Sequence, residues 1–359
     1  MTRKREWLIP CLVILGVLYI GKPLIMPLVL AVFVWYLINV LTDAFTSPLP
    51  WLRVRMPRPL AFCVALFAIV AAIYFAAWII MSNITEVAAA VPAYQYNFEQ
   101  MSRRILSHIP WQEPLTVGKL MAGVDFSSIT RVVVSEVTNI FGKGTIVAVY
   151  LLFLFLEQGS FRGKLSKLIP DTGDRRDIDR IVARIDSDIR TYLGIKTIAS
   201  VATALLSYLI FVSVGLNFAS FWAFLIFLFN YIPTVGSIVA TALPSFFAFM
   251  QYESLAPFLV VVLGVTAIQM LIGNVIEPRF QGDRLNLSPL VILVSLALWN
   301  MIWGIPGMFL CVPLTAIAVI IFSYFPQTRM IAVALSRNGN ISPQGVTEKS
   351  NNNSNNNTN

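Results

Sequence analysis

The sequence is short of what soluble enzymes use. Only 12% of its 359 residues are charged, and it has one histidine and three cysteines. An ordinary soluble chain is about 25% charged. Cys11, Cys63 and Cys311 each lie inside an apolar run without paired spacing, so neither a disulfide framework nor a thiolate metal site is implied. His108 stands among Ser107, Ile109 and Pro110, which is no acid–base constellation. The chain has no G-x-x-x-x-G-K-[ST], no H-E-x-x-H and no G-x-S-x-G. These absences argue against a nucleotide motor, a zinc hydrolase and a serine hydrolase, and no cofactor is called for.

What is abundant is apolar surface. Hydrophobic residues make up 57% of the chain, and the mean hydropathy is +0.75. A water-facing fold cannot bury that much, so lipid must be the solvent for much of it. Apolar segments run over 7–20, 23–41, 59–81, 138–156, 192–214, 218–232, 235–250, 255–276, 288–303 and 306–325. The pair 218–232 and 235–250 is short and interrupted by "NYIPTVG". Short segments broken by Pro and Gly predict a re-entrant hairpin. The expected fold is therefore all-α: a polytopic transmembrane helix bundle of about eight spans plus a re-entrant helical hairpin at 218–250. The basic start, Arg3, Lys4 and Arg5, has no small-residue cleavage site after it and reads as the flank of an uncleaved first span.

Charge sets the orientation. With the N-terminus inside, Lys22, Arg103, Arg104, Lys119, Arg131 and Lys143 are the outside basic residues, and the other 20 of the 26, Lys196 among them, are inside. This bias predicts a membrane protein with both termini in the cytoplasm. The net charge of +8 needs no nucleic acid, because basic flanks orient the chain and meet anionic headgroups.

Spans and charge together predict the organisation of the chain. Residues 1–81 hold three transmembrane helices. Residues 82–137 are extracytoplasmic and helical, with Ile129, Val132, Val133 and Val137 on one face. Residues 138–156 form the fourth span. Residues 157–191 form a cytoplasmic amphipathic helix with Ile178, Ile181, Val182, Ile185 and Ile189 on one face. Its polar side carries the i,i+4 pairs Arg184–Asp188 and Asp186–Arg190. Residues 192–335 form a C-terminal transmembrane domain. Residues 336–359 end in "NNNSNNNTN", a low-complexity tail expected to be disordered.

The chemistry left is polar and mostly uncharged. Asn230, Tyr231, Pro233, Gly236, Gln269, Asn274, Glu277, Arg279 and Asn300 lie within or at the ends of apolar runs. Neutral amides and hydroxyls cost less in a bilayer than charges, which cost about 2.5–3.5 kcal/mol at its centre on insertion scales. They can hydrogen-bond an uncharged polar solute, or they can join helices to one another. The stretch "NVIEPRFQGDRLNLSP", 274–289, has two readings as well. It is a cytoplasmic turn with Ser288 as N-cap and Pro289 at the first helical position. Alternatively, Glu277 and Arg279 form a gate or coupling pair.

Three ordered motifs, "NYIPTVGSIVATALPS" (230–245), "GNVIEPRFQGDRLNLSPLVILVSLALW" (273–299) and "GIPGMFLCVPLTAI" (304–317), resemble the autoinducer-2 exporter family. The likeness takes in "YLGIKTIASVATAL" (192–205) and covers most of residues 1–335. It implies about eight spans and a homo-oligomer, with pentamers among the assemblies. It implies export of a small polar metabolite: the quorum signal autoinducer-2, a furanone-derived polyol, for some members. Sodium(lithium)/proton antiport is the alternative that other members imply, and a non-transporting scaffold is the third reading. The expected partners are the lipid bilayer and the small polar solute.

Overall fold

The computed structural model describes residues 8–46, 56–106, 142, 144–160, 163, 173–252, 254–282, 285–325 and 327–339. Repeating structure among them is helical, and one isolated antiparallel bridge joins Leu287 to Ser336. The helices are α1 Leu8–Ile20, α2 Lys22–Thr46, α3 Arg58–Leu106, α4 Gly144–Ser160, α5 Gly173–Val214, α6 Ala219–Phe229, α7 Val235–Gln251, α8 Leu255–Leu271, α9 Glu277–Gln281, α10 Pro289–Trp303, α11 Ile305–Tyr324 and α12 Arg329–Leu335. A π-helical turn, Ile272–Ile276, joins α8 to α9.

The all-α polytopic reading holds. Among the described residues, five stretches are long and apolar enough to cross a bilayer: Lys22–Thr46, Arg58–Asn83, Ile178–Val214, Leu255–Gln281 and Ile305–Tyr324. The expected spans at 7–20, 138–156 and 288–303 correspond to the shorter helices α1, α4 and α10. At 15 residues α10 is ~22 Å long, against ~30 Å of hydrocarbon. Exposed faces are rich in large apolar side chains, as at Phe67, Tyr74, Ile198, Leu209, Leu263 and Met301.

Two helices outrun their apolar segments. α3 does not end at residue 81 but continues to Leu106. Ser82 and Asn83 let it continue, because each folds its side chain back onto the carbonyl four residues earlier: Ser82 Oγ donates to Trp78 O (2.7 Å) and Asn83 Nδ2 to Ile79 O (2.9 Å). α5 joins the expected amphipathic helix and the following span into one 42-residue rod. No proline interrupts it, and Arg190 Nε reaches back to Asp186 at 3.1 Å. Arg184 and Asp188 pair at 3.6 Å. The amphipathic stretch 129–137 and the Asn-rich tail lie outside the described residues.

The chain forms two compact units. One comprises Met1–Met26, Leu156–Tyr192 and Asp283–Asn359. Here α10 and α11 form a helical hairpin closed at Gly304 (φ +69°). A Cβ at Gly307 would overlap the carbonyl of Trp299, so only glycine allows this approach. Trp303 donates its indole N–H to Leu18 O at 3.1 Å, and Trp299 to Thr315 Oγ1 at 3.1 Å.

The other unit comprises Pro27–Phe155 and Leu193–Gly282. Its core includes Ile79 from α3, Phe211 from α5, Trp222 and Ile226 from α6, Phe247 from α7 and Val261 from α8. Among lipid tails these contacts hold helices together by packing rather than by expulsion of water. The same unit carries the polar cluster at the α6–α7 junction.

Candidate functional site

The site begins with a broken hairpin. α6 and α7 pack against each other as two apolar arms. Between them Pro233 lacks a backbone donor, so the helical ladder cannot continue through it. Thr234 turns the chain at φ +58°, ψ −61°, and the Val235 N–H donates to the Pro233 carbonyl across it. That is a γ-turn of the strained hand, rare for a β-branched residue. Gly236 follows because α7 starts against the end of α6: a Cβ there would overlap the carbonyl of Phe229. Each residue of "NYIPTVG" that ends or restarts a helix thus has a backbone reason.

The open end of the hairpin is tied to α5. Gln251 Nε2 donates to Gly215 O at 3.0 Å, and its Oε1 accepts from Asn217 N at 2.8 Å. Tyr252 OH donates to Val214 O. The closed end also meets α5. Asn230 Nδ2 donates to Ser200 Oγ at 3.0 Å, and Tyr231 OH lies 2.8 Å from Thr197 Oγ1. Thr197 donates its one hydroxyl proton to Leu193 O at 2.7 Å, which leaves the Tyr231 phenol as donor to Thr197. The rings of Phe33 and Phe227 hold Tyr231 edge-on at 6.4 and 5.7 Å. Thr197 precedes Val214 by about 17 positions, so the tip sits ~25 Å along α5 from its tied end.

One residue before Thr197, the same helix carries the ion pair. Lys196 Nζ donates to Glu277 Oε1 and Oε2 at 2.9 and 3.0 Å, and the two side chains are 11% and 12% exposed. The π turn contributes to this meeting. The Glu277 N–H bonds to the Ile272 carbonyl, five residues back. Pro278 supplies a cause, because its ring would clash with the carbonyl of residue 274 in a regular α-helix. The extra residue in the turn rotates α9 by about 100°. Isolated π turns recur at functional sites.

The structure corrects the expected partner of Glu277. Arg279 is exposed and makes no ion pair with it. Residues two apart on a helix point to different sides, so the sequence neighbour cannot serve. Lys196, 81 positions away, takes that place. Of the other expected residues, Asn230, Tyr231, Pro233 and Gly236 meet at the tip, and Gln269 is half-buried on α8. Asn274 is exposed in the π turn. Asn300 is exposed on α10 and belongs to the other unit, outside this cluster. Lys196, Thr197 and Ser200 were not among the expected site residues. Their signal was present: a lysine inside a membrane-length apolar run is a functional position by default.

The cluster offers neutral hydrogen-bond donors and acceptors beside a self-neutralised charge pair. It suits an uncharged polar molecule better than a bare ion.

Known proteins give this arrangement a context. A model of the family described as AI-2E family transporter matches residues 8–327. A candidate transport protein of Haemophilus influenzae is 29% identical over 90% of this chain and 93% of its own. A second candidate transport protein, from Borreliella burgdorferi, is 31% identical over 70% of each chain. The AI-2 transport protein TqsA of Escherichia coli is 28% identical over 87% of this chain and 89% of its own.

Proposed function

The chain belongs to the AI-2E transporter family, and on that premise we propose that it exports a small, uncharged polar metabolite across the bacterial inner membrane by way of the α6–α7 tip. Autoinducer-2 or a similar polyol is the proposed solute. TqsA carries AI-2 transport in its name, and a polyol presents the hydroxyls that the tip can exchange. The observation that carries this reading is the meeting of Asn230, Tyr231, Thr197 and Ser200 at a broken backbone. Such backbone is tolerated at membrane depth only where it is buried in protein or lines a water-filled cavity.

Glu277 and Lys196 act as the gate in this proposal, in place of Glu277 and Arg279. Lys196 stands on α5 one residue before Thr197, and its pair with Glu277 can hold α9 to α5 until the solute's entry rearranges the tip. Both termini are cytoplasmic in this proposal, so the tip approaches the inner face, and the working form is a homo-oligomer, with a pentamer proposed.

Sodium(lithium)/proton antiport is the second reading, favoured by one observation. Glu277 is a largely buried carboxylate, and antiport needs one. Against it, Lys196 already neutralises that carboxylate at 2.9 Å. Flux of labelled erythritol and of sodium into proteoliposomes, each with and without a pH gradient, separates the two. Erythritol flux without sodium-driven proton exchange supports export of a neutral solute; the reverse supports antiport.

A further inference from the structure

The polar face of α5 does not end at the tip. Lys196, Ser200, Thr203 and Ser207 follow one another at spacings of four, three and four, which is one side of a helix. All four are buried, and Ser200, Thr203 and Ser207 are at most 1% exposed. The first three have partners: Glu277, Asn230 and the Ala199 carbonyl, respectively. Ser207 Oγ has no hydrogen-bond partner among the described residues.

The neighbouring helix carries a matching group. On α6, Trp222, Ile226 and Asn230 are spaced by four and share a face. Trp222 is 6% exposed and Ile226 1%. Asn230 bonds Ser200 on α5, which runs in the opposite direction. Counting back from that bond brings Ile226 level with Thr203 and Trp222 level with Ser207. The Trp222 indole N–H also has no hydrogen-bond partner among the described residues. By this count two buried, unpartnered polar groups fall at about one level of α5 and α6, ~10 Å from Ser200 along α5 toward Val214. Buried polar groups are paired in the great majority of cases, and each exception asks for an explanation.

We propose that Ser207 and Trp222 form a second hydrogen-bonding station for the transported solute. This rests on the transport reading and narrows its substrate class. The indole is a donor only, so it needs an oxygen acceptor; the serine hydroxyl can donate or accept. A hydroxyl-bearing, uncharged solute satisfies both groups. A bare cation satisfies the indole not at all. The station therefore selects polyols over sodium, and the solute passes from Asn230 and Ser200 to Ser207 and Trp222.

The test uses the full chain in proteoliposomes with Cys11, Cys63 and Cys311 replaced. Ser207→Cys is compared with Val261→Cys, a position fully buried in the apolar core. Methyl methanethiosulfonate is the reagent and erythritol the probe. Residue 207 is expected to react at least tenfold faster than residue 261, and saturating erythritol to slow it at least threefold. Reaction at the rate of residue 261, or reaction that erythritol does not slow, overturns the proposal. Protected labelling in a chain that carries no erythritol keeps the station and overturns the transport reading instead. Should Ser207→Cys not fold, Trp222→Phe decides: erythritol is expected to raise the Tm of the parent chain and not of this variant. An equal rise in both overturns the proposal.

Discussion

Replacing Lys196 with Gln removes the cation that pairs with the Glu277 carboxylate, in a position where the glutamate side chain is 12% exposed. Breaking a buried pair from one side costs about 3–5 kcal/mol, because the remaining charge stays desolvated. Glu277→Gln strands the lysine with a similar loss. The double variant carries two neutral amides and no stranded charge, and is expected within about 1 kcal/mol of the parent. The coupling between the two positions is then about 5–9 kcal/mol, the two single losses together less that of the double variant, well above the error of a double-mutant cycle. Arg279→Gln is the internal control: an exposed residue outside this pair should change stability by no more than about 0.5 kcal/mol. Equilibrium unfolding in mixed micelles reads all four variants, and erythritol flux normalised to folded protein reads the gate. If the pair opens during transport, the double variant is less impaired than the product of the singles. Additive losses from Lys196→Gln and Glu277→Gln, or a loss from Arg279→Gln as large as theirs, refute the reasoning.

Other substitutions test the backbone argument and the topology. Gly236→Ala meets the carbonyl of Phe229 and should cost about 3 kcal/mol or more in unfolding, whereas Gly273→Ala, with open space around its Cβ, should be neutral or stabilise by up to about 1 kcal/mol. Thr234→Gly removes the side chain from a φ of +58° and should raise stability by about 1 kcal/mol; a loss of similar size contradicts the strained turn. Single cysteines at Ser254 and Asn338, both exposed, should react with an impermeant thiol reagent from opposite sides of the membrane, the first from outside. Reaction of both from one side defeats the assigned orientation.

The bundle was legible in the sequence because apolar runs and breaks are local signals. The break at "NYIPTVG" was readable for the same reason: Pro233 and Gly236 state a backbone requirement wherever they stand. Helix continuity was less legible past residue 81 and across residues 191–192, since apolar runs stop where water begins while the hydrogen-bonded spiral continues. The partner of Glu277 was hidden by distance along the chain. Proximity in sequence favoured Arg279, but helix geometry turns that residue away and brings Lys196 across from α5. The buried row 196–200–203–207 has helical spacing and could have been found by laying the span on a wheel. Trp222 could not, because its relation to Ser207 depends on a register that only the Asn230–Ser200 bond supplies.

The central claim is that a neutral solute passes the α6–α7 tip. The most direct measurement is erythritol counterflow in proteoliposomes holding the parent chain, Asn230→Leu or Ser200→Ala, at equal folded protein. The account predicts saturable counterflow in the parent, reduced at least fivefold in Asn230→Leu and more mildly in Ser200→Ala. Counterflow unchanged in Asn230→Leu, or sodium–proton exchange with no erythritol movement in the parent, contradicts it.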